Sequence, residues 1–63
     1  MHQHSARDRA ALALDRTHHV GERGPRTYQA WERVALALDT GARVSLQDVR
    51  WLESVARRYP API

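Results

Sequence analysis

The sequence predicts an all-α fold of three short helices in a single small domain spanning residues 1–63. Two observations carry this. Apolar residues recur at spacings of three and four in three separate stretches, the stripe of an amphipathic helix. Each stretch also opens on a helix-start signal and closes near a helix-stop signal. The periodicity places the helices at residues 5–19, 25–39 and 45–58, with a frayed N-terminus over 1–4 and a proline-containing tail over 60–63.

In the first helix, Ser5 to Asp8 has the shape of a capping box, with aspartate in place of glutamate. Ala6, Ala10, Ala13, Thr17 and Val20 follow as a stripe, with Leu14 alongside. Small residues let a helix approach its neighbour closely while burying little area. This helix is therefore expected either to pack across the other two or to dock on a partner. Residues 20–26 hold two glycines and a proline in a charged setting, a clear break.

The second helix is the centre of the chain. Pro25 suits a first helical position, because the amide it lacks would be orphaned there anyway. Gly41 is free to take the left-handed turn that ends a helix. At about 100° per residue, Tyr28, Trp31, Val34, Ala35 and Leu38 fall on one face. Leu36 points about 200° away from Leu38, among polar residues. The run from Arg33 to Asp39 nearly repeats the run from Arg9 to Asp15, so Leu12 stands in the same position. Both leucines are expected to be exposed or covered by something other than this chain's own core.

The third helix opens on a second capping box, Ser45 to Asp48. Val49, Leu52, Val55, Ala56 and Tyr59 form its apolar face, and Gln47, Arg50, Ser54, Arg57 and Arg58 the opposite one. Pro60 stops it. Helices two and three are expected to form a hairpin around Trp31, Trp51, Tyr28 and Tyr59.

Composition narrows the function. A chain of 63 residues buries only about 60% of its unfolded surface. Leu, Val, Ile and Phe number twelve in all, so the core is thin. Without cysteine, neither disulfides nor thiolate metal sites are available as staples. A partner, a second copy or close helix packing must supply the stability. No apolar run is long enough to span a membrane, and no signal-peptide core opens the chain, so a soluble, cytoplasmic protein is expected. All ten basic residues are arginine, a composition associated with GC-rich bacterial or phage coding. A formal charge of +3 admits nucleic acid or an acidic protein as partner without requiring either.

Specific chemistry is hard to place. His2, His4, His18 and His19 lack the spacing of a helical zinc site. Reading Asp39 to Asp48 as a calcium loop leaves alanine at ligand and glycine positions. Ser5 and Ser45 are better explained as caps than as nucleophiles, and no glycine-rich phosphate loop is present. An enzyme, a metal and a cofactor are accordingly not expected.

The run from Val44 to Leu52 resembles the opening of a helix-turn-helix recognition helix, with Gln47, Arg50, Ser54, Arg57 and Arg58 as base- and phosphate-reading residue types. Arg43 stands where that motif has its turn glycine, and Asp39 where it has alanine. Asp48 would bring a negative charge close to the DNA. The leading expectation is a small regulatory protein that binds another protein through Leu12, Leu36, Arg33, Arg50 and Arg57. A DNA-binding regulator using the third helix and a self-assembling helical oligomer are the alternatives.

Overall fold

The computed structural model describes residues 5–20 and 24–60, leaving aside the side chain of Val20. The expectations for the frayed residues 1–4, for His2 and His4, for part of the 20–26 break and for residues 61–63 lie outside the described residues. Three α-helices follow one another: α1 (Ala6–Thr17), α2 (Pro25–Thr40) and α3 (Leu46–Arg58), with a 3-10 turn at His18–Val20 extending α1.

The start and stop signals act as the sequence implies. The Ser5 hydroxyl accepts from the Asp8 amide at 3.1 Å, and the Ser45 hydroxyl accepts from the Asp48 amide at 3.3 Å. Asp8 and Asp48 also place negative charge in the first turns of α1 and α3, where the helix dipole favours it. Gly41 closes α2 with a φ of 78°, a left-handed conformation that costs glycine little. Tyr59 leaves the helical region just before Pro60, and its amide still bonds the Val55 carbonyl at 2.9 Å.

All three helices contribute to one core. Ala10 and Ala13 of α1, Ala30 and Val34 of α2, and Val44, Val49 and Leu52 are buried together. Thr17 is wholly buried as well, and its hydroxyl is satisfied by the Ala13 carbonyl at 2.6 Å. The core is therefore aliphatic and small-residue, not aromatic as expected. Tyr28 is 54% exposed and Tyr59 is 41% exposed. Trp31 and Trp51 are half-buried at the core's rim, each spanning two helices. The Trp31 indole N–H donates to the Leu14 carbonyl at 3.3 Å, and that of Trp51 to Thr27 Oγ1 at 3.2 Å.

The correction has a steric cause. The buried stripe of α2 is Thr27, Ala30 and Val34, a rotation of roughly 70° from the face centred on the aromatics. A helix that touches two neighbours needs small residues at its seam. Large rings then fit only at the margin, where the indole N–H can also find an acceptor.

α1 packs across the hairpin instead of projecting away from it. Two arginines fasten it there. Arg7 donates to the Leu38 carbonyl at 2.9 Å and the Ala42 carbonyl at 2.8 Å, covering acceptors that the end of α2 leaves open. Arg9 grips Glu53 of α3 through two hydrogen bonds, at 2.7 and 3.1 Å. No helix among the described residues is long and apolar enough to cross a membrane.

Candidate nucleic-acid interface

The residue that most complicates α3 as a reader of anions is Asp48, and its position changes the picture. Asp48 does not face outward. It is 8% exposed and turned toward α2, where Arg33 meets it in a two-pronged pair with both hydrogen bonds at 2.9 Å. The hydrogen bonds from Arg33 hold the Asp48 carboxyl below its ordinary pKa, against the opposing effect of burial. The same happens on the other flank. Arg9 holds Glu53 below its usual range, chiefly by hydrogen bonding, with smaller contributions from Arg57 and Arg50. Both acids of α3 are thus bound to arginines supplied by the neighbouring helices.

What remains outward on α3 is mostly cationic and polar, with Leu46 46% exposed at its first turn. Gln47, Arg50, Arg57 and Arg58 are exposed, and Ser54 is half-buried among them. Arg50 and Arg57 lie almost on one line, seven residues and so roughly 10 Å apart along the axis. Toward α2, Arg26 approaches the Trp51 ring at 4.1 Å and Arg58 at 5.2 Å. Both contacts are cation–π stacks, which orient a guanidinium without cancelling its charge. Toward α1, Arg16 and Arg57 border a hollow of about 330 Å³ floored by Ala56 and Pro60. Among the described residues, the carboxylates outside ion pairs are Asp8, Asp15, Glu32 and Asp39, all on α1 and α2.

Several expected site residues do not come together. Leu12 is 48% exposed in a shallow cleft between α1 and α3, beside Arg9 and Arg16. Leu36 is 60% exposed in a separate groove at the end of α2, beside Thr40 and Arg43. They do not build a single surface. Arg33, expected at a partner interface, directs its guanidinium to Asp48. Sequence reasoning missed Arg26 and Arg16 as flanks of α3, and Arg9 as the counter-ion of Glu53.

His18 Nδ1 lies 2.7 Å from the Asp15 carbonyl, and His19 Nε2 lies 2.8 Å from the Tyr59 carbonyl. Both rings are engaged with backbone, and no group of three potential metal ligands occurs among the described residues.

The turn between α2 and α3 also differs from that of a helix-turn-helix. Its left-handed residue is Gly41, at the end of α2, and Arg43 has an ordinary negative φ. No protein-family model matches the chain, and no curated protein or solved structure matches it.

Proposed function

We propose that this is a small, non-enzymatic regulatory protein that binds nucleic acid along the outer face of α3. One observation carries the reading: Arg33 and Arg9 take both α3 carboxylates into ion pairs, and Arg50, Arg57 and Arg58 stay exposed with no ion pair to a described residue, Arg50 and Arg57 feeling Glu53 only at longer range. Phosphates are the natural ligand of such a face. A guanidinium offers planar paired donors to a phosphate, and each neutralised phosphate releases condensed counterion. Gln47 and Ser54, on the same face, are of the types that contact base edges. The reading rests on charge and not on helix-turn-helix geometry, since the turn is built differently.

The test is fluorescence anisotropy with a labelled DNA duplex and a labelled single strand at physiological ionic strength. The wild type is expected to retain at least one probe. The Arg50→Ala/Arg57→Ala variant is expected to release it while keeping its helical circular dichroism. A wild type that retains neither probe, or a variant that binds as well as wild type, overturns the proposal.

A further inference from the structure

A second surface lies at the junction of α2 with the turn, away from Arg50 and Arg57. Leu36 and Ala37 of α2 and Ala42 of the turn form the apolar part of a groove of about 340 Å³. Leu36 is the most exposed large apolar residue among those described.

The polar groups around the groove are almost all spent. The Thr40 hydroxyl donates to the Leu36 carbonyl at 2.9 Å. The Ser45 hydroxyl caps α3, and Asp48 is held by Arg33. The Leu38 and Ala42 carbonyls are covered by Arg7. One strong donor is left over. Arg43 is exposed at the rim and makes no hydrogen bond or ion pair with any described residue.

An occupant that uses both the apolar floor and the exposed Arg43 brings apolar bulk and a hydrogen-bond acceptor of negative charge. We infer that the groove docks an acidic, amphipathic peptide segment of another protein. Its large apolar side chain covers Leu36, Ala37 and Ala42, and its carboxylate pairs with Arg43. Charge complementarity decides the occupant. A basic or purely apolar segment leaves the Arg43 guanidinium without a partner, and a nucleic acid has no aliphatic side chain to cover Leu36. The inference does not depend on the nucleic-acid reading: the Arg33–Asp48 pair borders both surfaces, but the peptide is met by Leu36 and Arg43 and the phosphate by Arg50 and Arg57.

The test pans a random peptide library displayed on phage against the full chain, then measures enriched peptides by isothermal titration calorimetry. Enriched sequences are expected to place Leu, Ile or Phe beside Asp or Glu. Leu36→Glu and Arg43→Glu should each weaken such a peptide by at least about tenfold. Arg43→Glu should regain binding when the peptide's acid is changed to lysine. The Arg50→Ala/Arg57→Ala variant should bind the peptide as wild type does. Both groove positions are exposed, so the variants should fold, as circular dichroism will show. An absence of peptides whose binding depends on Leu36 and Arg43 overturns the inference. So does a concentration-dependent dimer abolished by Leu36→Glu, since a second copy then occupies the groove.

Discussion

Removing Arg50 and Arg57 together probes the charge argument quantitatively. Four exposed cations outside the ion pairs, Arg50, Arg57 and Arg58 on the outer face of α3 and Arg26 over Trp51, are counted as phosphate contacts. If each neutralises one phosphate, the slope of log affinity against log salt on a duplex is about −3.6. Raising salt from about 50 to about 200 mM should then weaken wild-type binding roughly 150-fold. The double variant keeps only Arg58 and Arg26, so its slope falls to about −1.8 and the same salt step costs about 12-fold. Neither side chain makes an ion pair with a described residue or lies in the core, so the melting temperature should stay close to wild type. The measurement is a series of anisotropy titrations at four or more salt concentrations, each checked for helicity. A wild-type slope shallower than about −1 would mean that this face does not meet the backbone. An unchanged slope in the double variant would mean that other arginines carry the binding.

Two predictions concern the fold. Leu52 is wholly buried, so Leu52→Ala should cost about 2–5 kcal/mol, a large part of the roughly 3–9 kcal/mol available to a chain of this size. Exposed Leu36→Ala should stay within about 0.5 kcal/mol in the same urea titrations, and equal effects would show that the core is misplaced. Acid should also destabilise the protein through Asp48 and Glu53, whose carboxyls are depressed in the folded state. Their stabilising contribution is fully present above the unfolded carboxylate range near pH 4 and is lost as pH falls through the lower folded values. Thermal melts across that window should show the loss, and Asp48→Asn/Glu53→Gln should flatten the profile.

The helices themselves were legible because their signals are local. Ser5, Ser45, Pro25 and Gly41 act within one turn of where they stand, and the observed ends fall within two residues of those expected, with the His18–Val20 turn carrying α1 onward. The exposure of Leu12 and Leu36 was legible for the same reason, since each follows from the angle to its own helix's buried stripe. The aromatic core was misread because periodicity fixes a face only when helix–helix spacing is known. Here the seam selects Ala10, Ala13, Ala30 and Thr27, and the indoles are displaced to the rim.

The charge pattern was the least legible feature, because ion pairs depend on which helix meets which. Arg9 and Glu53 are separated by 44 positions, and Arg33 and Asp48 by 15. Nothing near either acid in the chain announces its partner. Read along the sequence, Asp48 and Glu53 dilute the positive charge of α3. Packed, each is turned to a neighbouring helix and paired there, while the carboxylates outside ion pairs among the described residues lie on α1 and α2. A net +3 is an average over the whole chain, and a ligand meets only one face. If α3 binds phosphate as proposed, Arg33 and Arg9 serve that binding indirectly. Neither needs to touch a phosphate, yet losing either one should return a carboxylate to the field of α3 and weaken its attraction for an anion.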